Sequence, residues 1–251
     1  KNIREAYTSN VFKAIISFMY DRHIILQPAK TSLLADTLAV LKNPDNRFKW
    51  MGLEGISKNV PLEELLKEGG LDTFYKKIDS AIENDSRIEQ YRIGGHIYRK
   101  VADELTNLAQ RVQAEKTGMG EYSTIISSLE AQAQLYTNKS VKYAAVETFL
   151  KDIFDWKEDI VSTLAVLSYL IKEDSKKSVG LIKGGITIDK TKIETGIKYL
   201  IEKGFIKEGP ATNTNVYFLN REDKELYSIA SRIIPSDIKE KFGLTFNVPV
   251  K

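Results

Sequence analysis

Apolar positions recur at helical spacing along most of this chain. Val11, Ala14, Ile15, Phe18 and Met19 predict a helix over residues 2–23. Pro28 interrupts the pattern, and Leu33, Leu34, Leu38 and Leu41 predict a second helix that ends in a turn around Pro44. Pro61 suits the first turn of a short helix in PLEELLKEGG, which stops at Gly69–Gly70. Asp72 is placed to cap the next helix, running to Asn84 with Phe74, Ile78, Ala81 and Ile82 on one face. Two runs of strand formers, RIEQYRI and HIYRKV, then flank Gly94–Gly95, and that arrangement predicts a β-hairpin.

Residues 101–148 read as helix with a break at TGMGEY. Leu105, Leu108 and Val112 carry the apolar spacing before the break, and Ile125, Ile126, Leu129 and Leu135 after it. A further helix over 159–172 has Ile160, Leu164, Leu167 and Leu170 on one side, followed by SVGLIKGG, a short helix or strand ending in glycines. In ITIDKTKIETGIKYLIEKG, Asp189 is a natural N-cap. Ile193, Ile197, Leu200 and Ile201 fall at i, i+4, i+7 and i+8 and define one buried face. Gly204 reads as the left-handed stop. FIKEG and VYFLN predict short strands around the turn PATNTN, and a last helix over 222–233 precedes Pro235. The tail, KFGLTFNVPVK, has no clear period.

The expected fold class is mainly α with small β-hairpins, an α+β chain. The order helix, short helix, turn, helix, hairpin over 159–219 resembles the winged helix-turn-helix superfamily. The residues that carry the resemblance are Gly185–Ile186 in the turn, Asp189 as cap, Ile193, Gly196–Ile197 and Leu200 on the core face, and EKGFI at 202–206. Residues 33–101 resemble a second copy in element order, with the hairpin over 87–100 as its wing. The expected organisation is an N-terminal helical, winged-helix-like domain (1–105), a helical connector that is a candidate dimerisation region (106–150), a C-terminal winged-helix domain (151–235) and a tail (236–251).

That resemblance implies double-stranded DNA as partner, read by the third helix and touched by the wing. On the C-terminal copy the face opposite Ile193 and Ile197 offers Lys190, Thr191, Lys192, Thr195 and Lys198, with Asn213 at the wing tip. On the N-terminal copy the candidates are Arg87, Arg92, His96, Arg99 and Lys100, interleaved with Tyr91 and Tyr98. For both sets the plain alternative is an ordinary solvated surface.

Composition adjusts this reading. Of 251 residues 42% are apolar, enough for a core. The net charge of +3, from 37 basic and 34 acidic residues, excludes a strongly basic coat but leaves room for a local basic patch. There is no cysteine, which excludes disulfides, thiolate metal sites and cysteine nucleophiles and fits a reducing, cytoplasmic setting. No apolar run has the length of a membrane span, and KNIREAYTSN lacks the core of a secretory signal. The first residue is Lys1 rather than Met, as expected of a processed or cut chain.

Candidate chemistry is sparse. No P-loop occurs, and GLIKGGIT lacks the Lys-Ser/Thr pair. His23 and His96 are far apart, with no carboxylate at metal-ligand spacing. Glu63–Glu64 with Lys67 resembles a nuclease pattern only superficially. Asp152, Asp155, Glu158 and Asp159 form an acidic cluster in which Asp152 and Asp155, like Asp155 and Asp159, sit at surface-helix spacing, and it reads as a solvated face or helix start. The expectation is a protein that is not an enzyme and holds no metal or cofactor. It is a DNA-binding transcription regulator, a replication or partition protein, or the DNA-binding part of a larger complex, with a homodimer as candidate assembly. The alternative is a protein–protein scaffold of tandem winged helices, in which an apolar surface or the LTFNV tail docks on a protein partner.

Overall fold

The computed structural model describes residue 39 and residues 42–246, other than 116–120, 158 and 211–213. The helices expected over 2–23 and around Leu33, Leu34, Leu38 and Leu41, and the break at TGMGEY, lie mostly or wholly outside those residues. The chain divides into two compact units, residues 1–137 and 138–251.

In the first unit, α1 (Pro44–Trp50) starts at Asn43, whose Oδ1 accepts from the Asp45 and Asn46 amides at 2.9 and 3.3 Å. Two single turns follow, α2 (Ile56–Asn59) and α3 (Leu62–Leu65). Gly69, with φ of 71°, then opens α4 (Gly70–Glu83), so Asp72 lies in the first turn rather than at the cap. One more turn, α5 (Arg87–Gln90), leads into α6 (Gly94–Glu115). The last helix, α7 (Glu121–Phe154), gives its first part to this unit and the rest to the next. Phe48, Ile78, Ile97, Val101, Leu105, Leu108 and Leu129 form the core.

The hairpin expected over 87–100 is absent. Residues 42–101 contain no strand, and Gly94–Gly95 begin a helix instead of a turn. The cause is a longer period than the local alternation shows. Ile97, Val101, Leu105, Leu108 and Val112 form one stripe at i, i+4, i+8, i+11 and i+15, and all are buried. Each such side chain contributes about 1.5–3 kcal/mol on burial, more than a two-stranded ribbon would recover. The left-handed residue before the helix is Arg92, with φ of 54°. The hairpin expected as a wing for residues 33–101 is therefore a helix start instead.

In the second unit, α8 (Ile160–Glu173) is followed by β1 (Lys177–Ser178), α9 (Val179–Gly185) and α10 (Lys190–Glu202). Then come β2 (Ile206–Pro210), β3 (Asn215–Leu219), α11 (Lys224–Ile233) and α12 (Ser236–Lys241). The strands form one antiparallel sheet in the order β1-β3-β2. Its register pairs Lys177 with Tyr217 on one edge and Glu208 with Tyr217 on the other. The described residues are mainly helical with one small antiparallel sheet, as the apolar periods predict.

Gly204, with φ of 80°, ends α10 as expected. Phe205 turns into the core against Phe149, with ring centroids 5.1 Å apart, and the Tyr227 hydroxyl donates to the Phe205 carbonyl at 2.6 Å. The tail corrects one expectation. Leu244 and Phe246 are buried, and the Phe246 ring lies 6.2 Å from those of Phe205 and Tyr227. These two side chains complete the unit's own core, so they are not an exposed apolar handle for a partner. Among the described residues no helix is long and apolar enough to cross a membrane.

Candidate nucleic-acid interface

The geometry of α10 begins with its buried stripe. Ile193, Gly196, Ile197 and Leu200 face inward. Gly196 sits so close to α8 that a Cβ there would lie 3.0 Å from the Thr163 amide nitrogen and 3.1 Å from its Cα. Any larger residue there would have to push the α8 backbone back by a few tenths of an ångström. The opposite face is solvent. Lys190, Thr191, Thr195 and Lys198 are exposed, and Lys192 is half-buried on the flank.

The start of α10 is closed by its own cap. Asp189 Oδ1 accepts from the amides of Thr191 at 2.8 Å and Lys192 at 3.3 Å. Those two hydrogen bonds hold the Asp189 carboxyl below its ordinary value. Two of the amides that an incoming phosphate would use are thus already taken. Any phosphate contact on this helix falls to the lysine side chains. Neither Lys190 nor Lys198 has a carboxylate at ion-pair distance among the described residues. Thr195 Oγ1 donates back to the Thr191 carbonyl at 3.3 Å, which leaves its oxygen able to accept. Glu194 is ion-paired with Lys183 of α9.

The far side of α10 is anchored. The Tyr199 hydroxyl donates to Asp152 Oδ2 at 2.6 Å, and Lys157 Nζ lies 2.6 Å from Oδ1. Burial raises the Asp152 carboxyl, but the hydrogen bonds from Lys157 and Tyr199 outweigh it and hold the group below its ordinary value. Burial and then the same carboxylate push the Tyr199 hydroxyl well above the usual tyrosine range. Asp152, expected on a solvated face, is 3% exposed. Its role rests on a tertiary contact that the spacing of acidic residues does not reveal. Asp155 and Asp159 are exposed as expected.

On the hairpin, Lys207 pairs with Glu222, and Glu208 accepts from Asn215 and from the Tyr217 hydroxyl, the latter at 3.2 Å. Asn213 lies outside the described residues. Over residues 160–221 there are ten Lys and Arg against six Asp and Glu, an excess of four. Lys177, Lys183, Lys203, Lys207 and Arg221 are paired with carboxylates, while Lys172 and Lys176, like Lys190 and Lys198 of α10, are exposed.

The first unit gathers its candidates differently. Arg87 donates to Asp85 Oδ1 at 2.8 Å, Lys100 lies 2.7 Å and His96 3.4 Å from Asp45, and Arg99 lies 3.4 Å from Asp103. The Lys100 hydrogen bond holds the Asp45 carboxyl below its ordinary value. Arg92 is exposed at the left-handed turn. Arg87, Arg99 and Lys100 thus each face a carboxylate of their own unit. Among the described residues no group of three His, Asp or Glu is arranged to hold a metal ion. Comparison with family models, with curated proteins and with solved structures gives no match to this chain.

Proposed function

We propose that the second unit is a winged helix-turn-helix module and that the protein binds double-stranded DNA through α10. The observation that carries this reading is the exposed Lys190, Thr191, Thr195 and Lys198 face, rigidly backed by the Gly196 contact with α8. The element order α8, α9, α10 and then a hairpin that pairs with a short first strand supports it. In this reading α10 enters the major groove, Lys190 and Lys198 neutralise phosphates, and Thr191 and Thr195 meet base edges. The first unit is a helical body in which Arg87, Arg99 and Lys100 face carboxylates of that unit. The chain then acts as a transcription regulator, a replication or partition protein, or the DNA-binding part of a larger complex, and dimerisation would give it a symmetric site.

Fluorescence anisotropy with a labelled duplex of about 30 base pairs, at about 50 and then 200 mM salt, tests the reading. Binding should weaken steeply between the two salts, and K190A/K198A should reduce the log–log salt slope by about 2. No binding at the lower salt overturns it.

A second reading, a protein-docking scaffold, is supported by Phe154 and Trp156, which are 52% and 55% exposed in the second unit. Binding of a protein partner that W156A abolishes and K190A/K198A leaves intact would favour it.

A further inference from the structure

Lys190, Glu194 and Lys198 follow one another at i, i+4 and i+8 along the exposed side of α10, so a carboxylate stands between two ammonium groups. Thr191 and Thr195 form the neighbouring row. Glu194 is 57% exposed and is paired with Lys183 of α9. A surface pair of that exposure contributes little to folding, so stability does not account for an acid in the middle of a cationic row.

Resting on the DNA-binding reading of α10, we infer that Glu194 is the specificity-determining residue of this helix and that it selects cytosine at one position of the bound duplex. The argument is one of charge and hydrogen-bonding type. A carboxylate beside phosphates is repelled, so Glu194 weakens every complex in which the helix merely rests on the backbone. In the major groove it meets base edges, where it can only accept. Cytosine presents the N4 amino donor there. Adenine presents its N6 donor next to the N7 acceptor, guanine presents two acceptors, and thymine an acceptor and a methyl group, so each of these is a poorer partner. The flanking Lys190 and Lys198 hold the helix to phosphates on either side. The ion pair with Lys183 of α9 must open for Glu194 to reach a base edge.

The experiment is selection from a duplex library with a random core of about 20 base pairs. It is run in parallel on the full chain, on E194Q and on K183A, and followed by anisotropy on the unselected library. The wild-type chain should enrich one cytosine column. E194Q should move that column to adenine, because a glutamine amide pairs with adenine N6 and N7. It should also bind the unselected library several-fold more tightly, about three- to tenfold for one repulsive charge removed. K183A should keep the cytosine column. If wild-type and E194Q select the same bases, the inference is overturned while DNA binding by α10 stands. If K183A loses the cytosine column as E194Q does, the α9–α10 ion pair rather than the base contact sets the preference, and the inference is again overturned. If the wild-type chain binds no duplex at about 50 mM salt, the DNA reading falls and takes the role of Glu194 with it. Glu194 is exposed, and an unchanged far-UV circular dichroism spectrum of E194Q assigns the differences to recognition.

Discussion

The Tyr199 hydroxyl donates a 2.6 Å hydrogen bond to Asp152 Oδ2 and so ties the outward-facing helix α10 to the end of α7. The bond joins a phenol to a carboxylate that is itself buried, which makes it a strong contact. Tyr199→Phe should destabilise the second unit by about 1.5–3 kcal/mol, the usual range for a hydrogen bond to a charged group. The chain has two tryptophans, Trp50 in the first unit and Trp156 in the second. Urea unfolding of a W50F background, followed by Trp156 fluorescence, reads the second unit alone. The pH dependence has a definite sign. Asp152 is held below its ordinary value of 3.8, so it stabilises the folded unit at neutral pH. That stability is lost as the pH falls below 3.8 through the folded value, where the native carboxyl takes up its proton. D152N should flatten this acid limb.

A different outcome is expected one turn away. An exposed helical glycine replaced by alanine ordinarily gains about 0.5–1 kcal/mol. At Gly196 the new methyl would meet backbone atoms of Thr163 and Ser162 at 3.0–3.2 Å, and backbone cannot swing aside as a side chain can. Gly196→Ala should therefore cost about 1–3 kcal/mol and displace α10 from α8. Unfolding by Trp156 fluorescence decides the sign, and a gain in stability would show that the two helices are free to separate.

The helix α10 was legible because its signals are local. Ile193, Ile197 and Leu200 repeat at helical spacing, Asp189 caps, Gly204 stops, and the outward placement of Lys190, Thr191, Thr195 and Lys198 follows by subtraction. Residues 87–100 misled for the same reason. Two adjacent glycines between strand formers carry a strong short-range turn signal, and the competing stripe from Ile97 to Val112 is visible only over four turns. The pair Asp152–Tyr199 spans 47 residues and has no local signature. Lys183–Glu194 crosses a turn whose geometry the spacing of charges does not fix. Strand β1 is two residues long, too short for a period, and exists because β3 offers it a partner.

The first unit holds a buried ion pair with unequal partners. Arg47 and Asp85 are both nearly inaccessible and face each other directly, and Asp85 also accepts from the Arg87 side chain and amide. Arg47 Nε and Nη1 have no hydrogen-bond partner, and burial, with Arg87 nearby, pushes its pKa down to about 10. Removing the acid strands a buried cation, so D85A should cost about 3–5 kcal/mol. Arg47→Met leaves Asp85 with Arg87 and replaces the cation by an apolar chain, so it should cost far less. A W156F background reads both through Trp50, whose ring lies 5.3 Å from the Arg47 guanidinium carbon. Equal losses would mean that Arg87 does not hold Asp85 alone.

The two basic regions should separate in a salt titration. On the first unit a phosphate would have to displace Asp45 from Lys100 and Asp103 from Arg99, a substitution of one anion for another with little net gain. On α10, Lys190 and Lys198 release only bound counterions, each worth a slope of about 0.9 for duplex DNA. R99A/K100A should therefore leave the salt slope of duplex binding unchanged, whereas K190A/K198A should lower it by about 2. Anisotropy from about 50 to 200 mM salt measures both, with circular dichroism confirming that each variant is folded. If R99A/K100A flattens the slope as much as K190A/K198A, the first unit also carries phosphate contacts, and the bound duplex must reach both units.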